Sequence, residues 1–127
     1  MRAGNYNITC EQGSTFVRTI ELETPDIEAD PTGNTFIPLS LENYTARMQV
    51  RRTMESENFL LELTTENGNL TINPLEEQTN VIQIDVSASV TASVEHSGVY
   101  DIEIISNDGI VSRILQGIFT LSPEVTR

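Results

Sequence analysis

The stretch from Ser97 to Arg127 constrains this chain more than any other part of it. Tyr100, Ile102 and Ile104 alternate with Asp101 and Glu103, the period-two pattern of a strand with one buried face. Asn107, Asp108 and Gly109 follow, residues that tolerate the positive backbone angles of a tight hairpin. The run from Ile110 to Leu121 then returns, and Pro123 stops further pairing. In that run apolar residues occur at both parities, as a bulge or burial on both faces produces. Such a hairpin has an apolar face that needs a partner sheet, so the rest of the chain must supply strands.

It supplies them. Tyr6 to Cys10 reads as a first strand, turned or bulged by Gln12-Gly13-Ser14. Thr15 to Glu23 continues extended, with Phe16, Ile20 and Leu22 on one face and Arg18 interrupting it. Thr24 to Asn43 carries Pro25, Pro31, Gly33 and Pro38 without a sustained period and is expected to be one long acidic loop, residues 24–43. Tyr44 to Arg52 is the cleanest strand: Tyr44, Ala46, Met48 and Val50 point one way, Thr45, Arg47, Gln49 and Arg51 the other. Phe59, Leu61 and Leu63 form the inward face of the next. Asn67-Gly68 then signals a hairpin leading to Leu70–Ile72. Ile82, Ile84 and Val86 mark another strand, and Ser87 to Glu95 is expected to form one or two helical turns over an end of the fold.

The expected fold is therefore all-β: a single sandwich domain over residues 1–127 with about seven to eight antiparallel strands and a short helical turn near 87–95. Phe16, Ile20, Met48, Val50, Leu61, Ile84, Tyr100, Ile102, Leu115 and Phe119 are the expected core. Gly98, Tyr100, Asn67, Gly68 and Gly109 are the expected structural positions at its turns. A chain of 127 residues hides enough surface to hold one core without disulfides, and its single Cys10 cannot form an internal bridge. That cysteine usage fits a reducing cytosol. The opening residues MRAGNYNITC lack a signal-peptide core, and no run approaches a membrane span. Three Asn-x-Thr matches, at Asn7, Asn43 and Asn69, are read as chance.

Nineteen Asp and Glu stand against seven Arg, with no Lys, giving a formal charge of −12. Such a chain repels nucleic acid and anionic lipid, so neither is an expected partner. Arg without Lys is either compositional drift or a preference for planar pairing with carboxylates at packed contacts. Arg47, Arg51 and Arg52 lie close enough to serve the second reading.

Each candidate site has a plainer alternative. Asp26, Glu28 and Asp30 alternate like the early ligands of a calcium loop, yet Pro31 stands where the turn glycine belongs and Ile37 where a bidentate glutamate is required. A solvated acidic loop is the better account of them, and no metal or other cofactor is expected. His96 is the lone histidine, so a two-histidine metal site cannot be built, and an exposed turn explains it. Cys10 has no basic neighbour in sequence to lower its pKa and reads as a buried structural thiol. No nucleophile–base pair, glycine-rich phosphate loop or aromatic stacking platform is present, so an enzyme is not expected. The Arg trio is either a docking surface for an acidic neighbour or a solvated face balanced by Glu55, Glu57 and Glu62 of the adjacent strand.

Ser97-Gly98-Val99-Tyr100 resembles the corner entering a late strand of an immunoglobulin-type sandwich, where a tyrosine hydroxyl bonds back to the main chain. Ile102 stands where such domains usually place a cysteine. Four blocks in order carry a wider resemblance: Glu11-Gln12-Gly13-Ser14-Thr15-Phe16; Tyr44-Thr45-Ala46-Arg47-Met48-Gln49-Val50-Arg51; Gly98-Val99-Tyr100-Asp101-Ile102-Glu103; and Gly117 through Ser122-Pro123-Glu124-Val125-Thr126-Arg127. Across nearly its full length the chain resembles small β-sandwich proteins encoded among the structural genes of tailed bacteriophages. It also resembles the N-terminal attachment module of phage baseplate upper proteins. Ser40-Leu41-Glu42-Asn43 departs from the Asp-Leu-Thr-Gly-like turn of that family, and the stretch Thr24 to Pro38 is longer than its usual hairpin.

The resemblance implies a non-enzymatic virion protein, made in the bacterial host cytoplasm. It would act as a tail or baseplate adaptor or accessory piece among other virion structural proteins, in multiple copies of a symmetric assembly. A capsid decoration protein is the structural alternative. A calcium-dependent carbohydrate or small-ligand binding module using Asp26 to Asn34 is the alternative from another class. Interaction candidates are Arg47, Arg51, Arg52, Asp26, Glu28 and Asp30.

Overall fold

The computed structural model describes residues 3–126; Met1, Arg2 and Arg127, inside the expected domain span, lie outside them. Among the described residues the chain forms β1 (Gly4–Asn5), β2 (Ile8–Glu11), β3 (Phe16–Glu21), β4 (Glu23–Pro25), β5 (Phe36–Pro38), β6 (Thr45–Arg51), β7 (Leu61–Thr64), β8 (Leu70–Ile72), β9 (Val81–Val86), α1 (Ala88–Ala92), β10 (Gly98–Ile105) and β11 (Val111–Ser122). In the larger sheet β11 is flanked by β1 and β2 on one side and by β10, β6 and β7 on the other. The second sheet runs β3-β9-β8, and β4 pairs only with β5.

This is an all-β sandwich with immunoglobulin-like order. The chain changes sheet between β2 and β3, between β3 and β6, between β7 and β8 and between β9 and β10, so sequence neighbours face one another across the core. The first strand lies wholly on the larger sheet, parallel to β11. It is not continuous from Tyr6 to Cys10 as expected. It breaks at Tyr6–Asn7, where the main chain passes over Gly117 so closely that a Cβ there would overlap the Tyr6 carbonyl.

The core is the expected one. Phe16, Met48, Val50, Leu61, Ile84, Tyr100, Ile102 and Phe119 are buried, and Ile20 and Leu115 pack against them half-buried. The two parities of β11 come from a bulge. Ile102 pairs Leu115 while Glu103 pairs Arg113, which leaves Ile114 as the extra residue and switches the buried face from Ile114 to Phe119 and Leu121.

Three further expectations fail. The 24–43 segment is not one loop: Glu23–Pro25 and Phe36–Pro38 close into a hairpin, because Leu22 and Leu39 anchor its base by a 3.0 Å main-chain bond. Asn67-Gly68 makes a tight turn, with Gly68 at φ 84, but not a hairpin. β7 pairs with β6 and β8 with β9, so this turn hands the chain from one sheet to the other. Asn67 holds it, its Oδ1 accepting from the amides of Thr64 and Asn69. Phe59 precedes β7 and is half exposed, so the inward face begins at Leu61.

The helix is short, as expected. Ser87 caps it, and the fully buried Thr91 ties it to the β2–β3 turn: its hydroxyl donates to the Ser14 carbonyl at 2.8 Å and accepts from the Gly13 amide at 3.1 Å.

Candidate functional site

The Arg residues of β6 point, as the alternation requires, to the solvent face of the larger sheet. Their partners differ from those expected of a face balanced by Glu55, Glu57 and Glu62. Arg47 Nε sits 2.7 Å from Glu103 Oε1 on β10, its cross-strand neighbour. Glu62 is taken by Gln49 Nε2 at 2.6 Å. Arg51 Nη1 donates to the carbonyls of Ser56 and Glu57, and its Nη2 to Gln49 Oε1, so it braces the turn after β6 and contacts no carboxylate by these bonds. Arg52, next in the chain, is exposed.

The same face carries Arg113, 3.3 Å from Asp101. Together with Gln49, Arg51, Met54, Val99 and Ile118, these groups border a concavity of ≈ 710 Å³. Burial pushes the Asp101 carboxyl upward and Glu103 beside it adds to the shift, while Arg113 opposes it. Arg47 and Arg113 each meet a carboxylate on this face, while Met54 and Ile118 stand exposed beside them.

Asp26 and Asp30 are spent inside the hairpin. Asp26 Oδ1 accepts from the Ala29 amide, and its main-chain amide donates to Thr35 at 2.7 Å. Asp30 Oδ1 accepts from the amide and hydroxyl of Thr32, and Oδ2 from the Thr35 hydroxyl at 3.0 Å. Those bonds hold the Asp30 carboxyl below its usual range. Glu28 is exposed and joins neither. Among the described residues no three His, Cys, Asp or Glu side chains gather where they could hold a metal ion. Beside the exposed Glu23 and Glu28 the hairpin also offers apolar side chains: Ile27, Phe36 and Ile37 are 56%, 53% and 43% exposed.

His96 lies exposed in the turn before β10, and Cys10 is buried in β2. The fold brings Arg18 near that thiol, a basic neighbour invisible in sequence, yet burial outweighs it and the Cys10 pKa is raised.

Tyr100 does not close a local corner. Its hydroxyl donates at 2.5 Å to the carbonyl of Tyr6, at the break between β1 and β2. Gly98, the other expected structural position there, is needed because a Cβ would overlap the Arg51 carbonyl of the adjoining strand.

Two residues that sequence patterning left unmarked do most to join the ends of the chain. Gln12 donates through Nε2 to Val94 O and accepts through Oε1 from the Glu124 amide. Asn7 Oδ1 accepts from the Ile118 amide, filling the place left by the strand break. Both belong to polar side chains whose partners lie far along the chain, so only proximity to a turn or a broken strand could have drawn attention to them.

No family model and no curated protein matches the chain. Among solved structures, extracellular domains 3–5 of Drosophila OTK are similar at 16% identity, over 91% of this chain and 32% of that one, with a TM-score of 0.34. The chain thus spans about a third of that structure's length. A likeness at this level bears on neither ligand nor partner.

Proposed function

We propose that this chain is a non-enzymatic assembly module, an immunoglobulin-like sandwich that serves as a tail or baseplate adaptor in the particle of a tailed phage. The observation that carries the assembly role is the β4–β5 hairpin. Its two aspartates bond within the hairpin, while three large apolar side chains stand half exposed outside the core cluster. An ordered segment of that kind suits docking against a protein neighbour, where the exposed apolar area is buried. The assignment to a phage particle rests on the four-block resemblance, of which Gln12-Gly13 and Ser122–Glu124 meet in space through the Gln12 bridge. The rival calcium-dependent module loses its main support, since both carboxylate oxygens of Asp30 already accept bonds from threonines.

Quantitative mass spectrometry of density-purified particles from a host carrying the gene tests the reading. The chain is expected at a fixed ratio to the tail proteins, and a Phe36→Asp, Ile37→Asp chain is expected to fold yet stay out of the particle. A chain absent from the particles overturns the assignment, and a ratio fixed to the capsid protein transfers it to the decoration role.

A further inference from the structure

Among the described residues the outer edge of β3 carries no paired strand. Among the described residues β3 pairs only with β9, because the first strand lies entirely on the other sheet. The polarity of that edge follows from the ladder. Leu22, one residue past β3, donates its amide to Asn80 O at 2.9 Å, toward β9. Alternate residues share a direction, so Ile20, Arg18 and Phe16 also turn their main-chain groups to β9, and Val17, Thr19 and Glu21 turn theirs outward. The neighbouring ladder agrees: Asp85, opposite Val17, donates away from β3, to Asn69 O.

Natural edges are usually blunted, and this one is blunted by a single side chain. Arg18 lies over the Phe16 ring, 4.5 Å from its centroid, and its Nη1 covers the outward carbonyl of Val17 at 2.9 Å. Its Nη2 reaches 3.3 Å to Thr9 O on β2, spanning the gap between the two sheets. Beside that clasp Thr9, Glu11, Ser14, Thr15, Phe16 and Arg18 line a recess of ≈ 270 Å³. The ionised groups around the edge are otherwise acidic: Glu21 on it, Asp85 beside Val17, Glu23 beyond its end and Glu11 at the recess.

We propose that the β3 edge accepts an added strand from a partner protein, an extended segment bearing lysine or arginine at alternate positions, with Arg18 as the clasp it displaces from Val17. Main-chain bonds to Val17, Thr19 and Glu21 supply the pairing, and the acids on both sides select the charge. A second copy of the chain is disfavoured, since each carries −12 and pairing two β3 edges sets Glu21, Glu23 and Asp85 against their own duplicates. The inference concerns the edge alone and holds whether or not the chain belongs to a particle.

Residue-resolved amide exchange on the full chain tests it, with a synthetic peptide of the length of β3 that alternates lysine with threonine and valine. The peptide is expected to slow exchange at Thr19 and Glu21, while a glutamate counterpart leaves it unchanged. Thr19→Pro removes an outward amide without touching the β9 ladder and is expected to weaken the peptide about ten-fold. Arg18→Ala uncovers Val17 and is expected to tighten it, which keeps the test decisive if the proline chain unfolds. Unchanged exchange at saturating peptide, equal protection by the glutamate peptide, or no gain from Arg18→Ala each overturns the proposal. Slow exchange at these amides without peptide, together with a doubled mass in solution, overturns it in favour of a second copy.

Discussion

The Tyr100 hydroxyl donates a 2.5 Å hydrogen bond to the main-chain carbonyl of Tyr6, ninety-four residues away, and so fastens the first strand to the centre of the larger sheet. The carbonyl is available because the strand breaks there, and Gly117 lets it come close. Tyr100→Phe leaves the ring and its burial intact and removes the bond. It is expected to lower stability by about 1 kcal/mol, the usual net worth of one such bond, with faster amide exchange at Tyr6 and Ile118. An unchanged melting midpoint and unchanged exchange would show that the bond does not hold the strand.

The same hydroxyl gives a pH signature. Burial pushes the Tyr100 pKa from 10.0 to about 12, so the folded state holds the proton more tightly than the unfolded chain. The associated stability is fully present below pH 10.0 and is lost as the pH rises toward about 12. Chemical denaturation across that window is expected to show a decline that Tyr100→Phe lacks. Parallel profiles for the two chains would contradict it.

Thr91 is fully buried and its hydroxyl serves both Ser14 and Gly13. Thr91→Val keeps the shape and strands the Gly13 amide without an acceptor. The expected loss is about 1–3 kcal/mol, the cost of an unsatisfied buried group, measured by urea denaturation. Thr91→Ser, which retains the hydroxyl, is expected to recover most of it.

Gly98 and Gly117 are both opposed by main-chain carbonyls, those of Arg51 and Tyr6. Backbone cannot rotate away as a side chain can, so alanine at either is expected to cost more than about 2 kcal/mol. Gly68 meets nothing within 4 Å and is required only for its φ of 84. Gly68→Ala is expected to cost about 1–2 kcal/mol. Equal melting shifts at the three positions would mean that the close approach at Gly98 and Gly117 is relieved at no more cost than the positive angle at Gly68.

Arg47 and Arg51 separate an exposed ion pair from a loop brace. Arg47→Ala loses one pair whose arginine side chain is 52% exposed, and is expected to change stability by less than about 1 kcal/mol. Arg51→Ala frees the Ser56 and Glu57 carbonyls and is expected to loosen residues 53–57, seen as faster proteolysis or exchange there. A larger global effect at Arg47 than at Arg51 would reverse this ranking.

The hairpin is expected to ignore calcium, since binding would have to displace Thr32 and Thr35 from Asp30. Millimolar calcium should leave the melting midpoint in place. The lowered Asp30 pKa places the order of the tip above pH 3.8 and its loss below that value as the carboxyl protonates. Exchange at the Thr32 amide reads this directly. A calcium shift abolished by Asp30→Ala would return the acidic segment to ligand binding.

Local patterning by itself determined the buried faces of the central strands. A period-two alternation such as Tyr100, Ile102 and Ile104 can bury only one set of side chains, and the neighbouring sheet then has to cover that set. The positive angles at Gly68 and Gly109 were legible for the same reason, since only the local main chain enters. Pairing was legible for the hairpin that β10 and β11 form, but not across the sandwich, because there it depends on which strand lies alongside. Asn67-Gly68 has the chemistry of a hairpin, yet β7 and β8 each find a better partner, β6 and β9, on opposite sheets. Arg47 likewise pairs with Glu103, fifty-six residues on, because β10 and not the next strand in sequence carries the acid at its height. The hairpin over 23–38 and the carbonyl that Tyr100 finds at Tyr6 were decided in the same way. Each needs two distant segments at hydrogen-bond distance, a condition that only the closed sandwich creates.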